Sequence, residues 1–286
     1  MVFITNQSVN AEITRQQGLS QDIARYQQQI STGVKFDKPS DNPQDWIQIS
    51  AIGKQQSLNQ AWQDNLKYAQ SRAAQAETSL TDVTNLITTV TEKLVSATSQ
   101  AKDSPGAQSY VLELQGIKAT ITTILNQTDY QGTPTFDDGS TNAIPIGKGL
   151  AVESVGTRQS IENGIVTDAT TTPPTTKSLY QVLDDAIAAV QAGNSGQIST
   201  SLDDARKALD HVIVASTQQG VRAQRLDNEV ARLDDARLTL TERRSNLEDT
   251  DLTEAISKVQ AKLVSLQAAQ ATFAKINQQS LFSLLR

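Results

Sequence analysis

Few residues in this sequence combine in a way that suits covalent or acid–base chemistry. A phosphate-cradling loop needs Gly-x-x-x-x-Gly-Lys followed by Ser or Thr, so that backbone N–H groups and a Lys converge on one anion. The nearest approach is Gly147-Lys148-Gly149, which reads as a β-turn. Ser99-x-x-Lys102 has the spacing of a serine nucleophile motif, and Ser40-Asp41-Asn42 has the form of the penicillin-recognising element that accompanies it. Their order along the chain is wrong, no Lys-Thr-Gly follows, and Ser99 falls at the end of a helical stripe. The single histidine, His211, stands beside Asp210 and has the makings of a general base or a pH-sensitive contact. Its helix has a seam set by Leu209 and Val212, which makes His211 a flank or surface residue. The acidic groups Asp203-Asp204, Asp234-Asp235 and Glu248-Asp249-x-Asp251 offer oxygens to a divalent cation. Adjacent carboxylates on a helix point to different faces, so these read as capping or solvated groups. Trp46 and Trp62 suit seam or interface anchors better than ligand stacking. The expectation is a protein that is not an enzyme, with no catalytic residue, no metal site and no cofactor.

Composition narrows the classes further. With no Cys there is no disulfide framework, thiolate metal site, iron–sulfur cluster or thiol nucleophile. A formal net charge of -6 argues against a surface that tracks phosphates, so nucleic acid is not an expected partner. No apolar run approaches the length needed to span a bilayer, and Met1 to Asn10 lacks a basic stretch followed by an apolar one. Neither a membrane anchor nor an ordinary cleaved signal peptide is expected. Aromatic residues make up only 4% of the chain, so the 37% apolar content is mostly Ala, Leu, Ile and Val, which suits thin helix-on-helix packing.

The elements follow from periodicity. Leu66, Ala69, Ala73, Ala76, Leu80, Val83, Ile87, Val90, Leu94, Ala97 and Ala101 alternate spacings of three and four, the seam of a coiled coil. Ser40-Asp41-Asn42-Pro43 supplies a start, with Asn42 or Asp41 as cap and Pro43 in the first turn. Asp103-Ser104-Pro105-Gly106 supplies the stop, so the helix is about 60 residues and roughly 90 Å long. Tyr110, Leu114, Ile117, Ile121 and Ile124 continue the pattern on a second helix that the short turn returns antiparallel. The stretch 129–177 is rich in Gly, Thr, Asp and Pro with short alternations, and reads as a small β-rich insert. Helical periodicity returns at Leu179, breaks at Gly193-Asn-Ser-Gly196, and runs from Ile198 towards Leu247 with polar Ser216 and Gln219 at seam positions. A last helix carries Leu252, Ile256, Val259, Leu263, Leu266, Ala269, Phe273 and Ile276, and has no acidic residue from Ala255 onward. Near the other end a weaker stripe, Leu19, Ile23, Tyr26 and Ile30, closes at Gly33. Both ends are amphipathic helices with no core of their own, the kind that orders on assembly.

Read together, the ends carry a resemblance. Ile30-Ser-Thr-Gly-Val-Lys-Phe-Asp-Lys-Pro-Ser-Asp-Asn-Pro43 is similar to the N-terminal signature of the flagellin family. Asn246-Leu-Glu-Asp-Thr-Asp-Leu-Thr-Glu-Ala255, Gln267-Ala-Ala-Gln-Ala-Thr-Phe-Ala-Lys-Ile276 and Ser280-Leu-Phe-Ser-Leu-Leu285 resemble its C-terminal helix. Within the family, the Lys38-Pro-Ser-Asp-Asn-Pro43 and Leu247-Glu-Asp-Thr-Asp251 forms resemble the hook–filament junction members more than filament subunits, and the short insert agrees.

The resemblance implies a mainly α fold: an elongated long-helix coiled-coil rod built from the N- and C-terminal segments, with a small β-rich central insert. It implies terminal helices at 1–42 and 247–286 paired as an inner assembly domain, a rod at 43–128 and 178–246, and a solvent-facing insert at 129–177. Leu19, Ile23, Tyr26 and Ile30 would then meet Ile256, Val259, Leu263, Leu266, Phe273 and Ile276, while Leu66, Leu80, Val83, Ile87, Val90 and Leu94 form the rod seam. The implied partners are further copies in a helical assembly, a neighbouring hook-associated junction protein, flagellin, and an export chaperone at the C-terminal helix. Export through the flagellar type III secretion channel to the cell exterior goes with them.

Overall fold

The chain, a computed structural model, is described over residues 6–129 and 132–284, with side chains over 9–129 and 132–275. Among the described residues there are seven helices and four short strands. They are α1 (Asn6–Thr32), α2 (Pro43–Ala97), α3 (Pro105–Leu125), β1 (Ala143–Gly147), β2 (Leu150–Glu153), α4 (Arg158–Glu162), β3 (Ile165–Asp168), β4 (Thr175–Lys177), α5 (Leu179–Ala192), α6 (Ser195–Glu248) and α7 (Leu252–Leu284). The fold is mainly α, with a small β-containing region between α3 and α5.

Each long helix after α1 begins where a side chain takes up its first free N–H groups. Asn42 Oδ1 accepts from Asp45 N at 3.2 Å, and Pro43 needs no donor at the first position. Ser104 caps α3 ahead of Pro105, Ser178 and Gln181 form a reciprocal capping box on α5, and Asn194 accepts from Gly196 N and Gln197 N at the start of α6. Asp251 Oδ1 does the same for Thr253 N and Glu254 N of α7. Gly33, at φ +74°, ends α1 in the left-handed conformation that glycine alone adopts without strain.

The chain forms two compact units, residues 58–236 and residues 1–57 with 237–286. They divide inside α2 and α6, and not at the loops near 42 and 247 where the periodicity breaks.

In the first unit the expected seam is buried from Leu66 to Ala97, with every one of its ten apolar positions no more than 2% exposed. Ala101, expected to continue it, is exposed, because α2 ends at Ala97 and the chain turns through Thr98 to Ser104. Residues Ala76 to Ala97 of α2 pack with α3, α5 and the first third of α6 in one core. Four side chains from between α3 and α5, Phe136, Val155, Ile161 and Ile165, belong to that same core. A second cluster joins Leu66, Ala69 and Ala73 to Ile146 and Val152 of the β1–β2 hairpin and to Leu226 and Leu233 of α6.

The insert therefore presents an outward face to solvent while its inner face completes both cores. Its strands make two antiparallel hairpins, each with a bulge, and no continuous sheet. The short helix α4 lies between them. Gln219, polar at a seam position, is 1% exposed and donates to the Ser154 carbonyl at 2.8 Å. It docks the insert where an apolar residue would leave that carbonyl unpaired.

Candidate functional site

Several of the chemical candidates make structural contacts. Ser99 Oγ donates to the Ser96 carbonyl just past the end of α2, and His211 Nε2 lies 2.9 Å from the Ser160 carbonyl, tying α6 to α4. Asp203 pairs with Arg206, whereas Asp204, buried, is held by Lys177 and Lys207. Lys177 lies between Asp185 and Asp204, whose carboxylates hold its ammonium pKa above the ordinary lysine value. Among the described residues no three His, Cys, Asp or Glu side chains group as metal ligands, and no helix is long and apolar enough to cross a membrane.

The surface of interest is the pair made by α1 and α7, in the second unit. Asp22 Oδ2 accepts from Lys262 Nζ at 2.9 Å, and Lys258 Nζ sits 5.6 Å from the centre of the Tyr26 ring. As α1 advances four residues α7 retreats four, so the helices run antiparallel. Arg25 approaches the same ring at 5.3 Å, giving Tyr26 two cations. The Lys262 hydrogen bond holds the Asp22 carboxyl below the usual aspartate value, and Glu254 holds Lys258 above the usual lysine value.

The two loops that lead into this pair are clasped. Val34 and Asp249 form an antiparallel bridge, in which Lys35 N donates to the Glu248 carbonyl at 2.7 Å and Thr250 N to the Gly33 carbonyl at 2.8 Å. Gln29 Nε2 adds a bond to the Lys35 carbonyl. Sequence pattern gives no sign of this contact, because its donors and acceptors are main-chain groups separated by more than two hundred residues.

Of the residues expected to meet across the terminal pair, Ile23 is buried and Leu19, Tyr26, Ile30, Val259, Leu266 and Phe273 are half-buried. Ile256 and Leu263 are not enclosed: they are 44% and 39% exposed. On a helix with 3.6 residues per turn they lie one shoulder away from the line through Ala255, Val259, Leu266 and Ala269 that faces α1. Ala255 and Ala269 are the α7 residues fully covered instead. The side chain of Ile276 lies outside the described residues. On the uncovered shoulder Leu252 joins Ile256 and Leu263 at spacings of four and seven, and Ile13 of α1 is exposed as well. The α1/α7 pair thus leaves a row of large apolar side chains exposed.

Comparison with known proteins agrees with these features. Residues 3–141 match the bacterial flagellin N-terminal helical region, and residues 200–285 match the bacterial flagellin C-terminal helical region. The flagellar hook-associated protein 3 of Salmonella typhimurium is 26% identical over 290 aligned positions, covering 91% of this chain and 92% of that protein. A flagellin of Brucella melitensis is 22% identical, covering 99% of each. Among solved structures, a putative flagellar hook-associated protein from Vibrio parahaemolyticus superposes with a TM-score of 0.64 at 16% identity, covering 73% of this chain and 100% of that one.

Proposed function

This chain belongs to the bacterial flagellin family, and on that footing we propose that it is a hook–filament junction protein of the bacterial flagellum, a structural subunit that adapts the hook side to the flagellin filament by helical self-assembly. The observation that carries the reading is the α1/α7 pair with its uncovered shoulder of Leu252, Ile256, Leu263 and Ile13. Residues 1–42 and 247–286 serve as the inner assembly domain, with Leu19, Ile23, Tyr26, Ile30, Val259, Leu266 and Phe273 holding the pair together. Ile256 and Leu263 face the next copy. Residues 43–128 and 178–246 form the rod, held by the seam at Leu66, Leu80, Val83, Ile87, Val90 and Leu94, and 129–177 turns its outer face to solvent.

Contacts that repeat head to tail build a helix and not a closed ring, so the two ends of the subunit meet different neighbours. One is an adjacent hook-associated junction protein and the other is flagellin. Before assembly an export chaperone covers α7, which carries no acidic residue from Ala255 onward, and the chain leaves the cell through the flagellar type III secretion channel. The similarity to hook-associated protein 3 supports the junction role. A filament-subunit role is the second reading, supported by the end-to-end match to a flagellin.

Electron microscopy of cells lacking the gene separates the two. Hooks without filaments, with unpolymerised flagellin in the medium, are the expected outcome. Missing filaments with no flagellin in the medium select the filament-subunit reading, and normal flagella overturn both.

A further inference from the structure

Asparagine is a thermolabile side chain, and it is most labile before glycine. With no Cβ on the second residue, the next peptide nitrogen approaches the carboxamide carbon unhindered. The chain has a single such pair, Asn163-Gly164, on the link between α4 and β3. Asn163 leaves the helix extended, at φ -121° and ψ 163°, and Gly164 turns into the strand at φ +85°. Both residues are exposed, and nothing lies within 4 Å of the place a Gly164 Cβ would take.

Hydrogen bonds distinguish this asparagine from others near it. The carboxamide of Asn126 donates to the Thr122 carbonyl, that of Asn142 donates to Asp137, and that of Asn194 accepts from Gly196 N and Gln197 N. The Asn163 carboxamide and Gly164 N make no hydrogen bond among the described residues, so electrophile and nucleophile both stand in water. Asn163 N donates to the Gln159 carbonyl at 3.0 Å, which leaves rotation about the Asn163 Cα–C bond as the motion that brings Cγ to Gly164 N. The comparable acidic pair, Asp138-Gly139, differs: Asp138 meets Arg158 at 2.9 Å as a carboxylate, a poor electrophile.

We propose that Asn163-Gly164 is a site of spontaneous covalent modification, at which the Asn163 carboxamide is lost as ammonia and replaced by a carboxylate. Gly164 N gives its proton to solvent base and attacks Asn163 Cγ. The Cγ–Nδ2 bond breaks, the departing nitrogen takes a proton from water and leaves as ammonia, and a succinimide ring closes. Water then opens the ring at either carbonyl. Attack at Cγ restores the main chain with aspartate at 163, whereas attack at the main-chain carbon gives isoaspartate, with the main chain running through Cβ and Cγ. Nothing is oxidised or reduced, and water is the only reactant consumed. Either product adds a negative charge to the exposed link. The isoaspartyl product also lengthens the main chain between Ile161 and Ile165, which are 2% and 1% exposed and fixed in the core, so the bend between them takes up the added length.

The full chain is incubated folded, at mildly alkaline pH and body temperature, beside the peptide that trypsin releases, Gln159–Lys177, in which Asn163 is the only asparagine. Mass spectrometry follows the exchange of ammonia for water, fragment ions place it, and an isoaspartyl methyltransferase reports isoaspartate. The free peptide sets the rate that local sequence alone gives. The folded chain is expected to convert within a few fold of that rate, with Asn163 ahead of every other asparagine. Asn163→Gln, at an exposed position, is expected to remove both the mass shift and the methylation from this segment.

A folded chain that keeps its carboxamide while the peptide converts overturns the inference, because the fold then holds the two atoms apart. Conversion that starts at another asparagine, or a peptide that does not convert, overturns it as well. The comparison of folded chain with peptide needs no variant, so it decides even where the substitution disturbs folding. Each of these outcomes leaves the junction reading standing.

Discussion

Arg72 shows how a single residue ties the insert to the helices. Its guanidinium is 7% exposed and donates to Asp137 Oδ1 at 2.8 Å and to the Pro134 carbonyl at 3.0 Å. Asp137 also accepts from Asn142 N at 2.7 Å and Asn142 Nδ2 at 3.0 Å, so the buried carboxylate is fully engaged. Removing one member of such a pair strands the other charge away from water. Arg72→Ala is therefore expected to lower unfolding stability by about 3–5 kcal/mol, read as a fall in urea midpoint. An Arg72→Met, Asp137→Leu double variant strands no charge, although the Pro134 carbonyl and the Asn142 donors lose their partners, and is expected to recover part of that loss. In the sequence Arg72 is one polar residue among seam alanines, and its partner is 65 positions away, so nothing local marks it as buried.

Asp22 illustrates an exposed ion pair with a pH signature. Its carboxyl titrates below the ordinary aspartate value of 3.8 chiefly because Lys262 donates to it. A lowered folded pKa means that the unfolded chain takes up the proton first. The contribution to α1/α7 pairing is thus present above 3.8 and lost as pH falls from there through the folded value. Amide protection factors in α1, with the intrinsic pH dependence of exchange divided out, are expected to fall over that acid window, and Asp22→Asn is expected to remove the fall by making α1 equally open on both sides of it.

At the scale of elements, the turn between α2 and α3 and the cap of α5 are fitted to each other. Gly193 ends α5 at φ +64°, and a Cβ there would lie 2.8 Å from the Lys102 backbone. Gly193→Ala faces both a left-handed backbone and a main-chain clash, and is expected to cost about 1–3 kcal/mol by thermal or urea unfolding. An alanine at Gly116, on the exposed face of α3 with nothing near its Cβ, is expected to be neutral or stabilising by up to about 1 kcal/mol.

Helices and caps were legible because their signals are local. The seam repeats within one turn, and Asn42, Ser104, Asn194 and Asp251 each act on residues two or three positions ahead. The insert was legible only as β-rich and turn-rich. Phe136 and Ile146, both no more than 1% exposed, owe their burial to α2, α3, α5 and α6, which the chain supplies from far away. The same limit explains Ile256 and Leu263. Periodicity marks an apolar stripe but does not say which half of it the first neighbour covers.

Across the whole molecule, burial and charge are distributed unevenly. Both apolar clusters lie within residues 58–236, whereas α1 and α7 enclose little beyond Ile23, Ala255 and Ala269. Residues 58–236 carry thirteen basic and twenty-one acidic side chains, but residues 1–57 with 237–286 carry twelve and ten. The unit with the exposed apolar shoulder is thus the one with least net charge to hold copies apart.

Removing residues 247–286 takes away the shoulder and the partner of α1 while leaving both clusters intact. The truncated chain is expected to keep a cooperative unfolding transition within a few degrees of the full chain's principal one, and to lose its place in the flagellum. If it still entered flagella, terminal pairing would not be the assembly device. If its principal transition collapsed, the cores of 58–236 would depend on α7 in a way that their packing gives no reason to expect. If the α1/α7 pair is the assembly device proposed above, folding stability and assembly are carried by different stretches of the chain, and a variant in the α7 shoulder such as Ile256→Ser is expected to impair the second while leaving the first within about 0.5 kcal/mol.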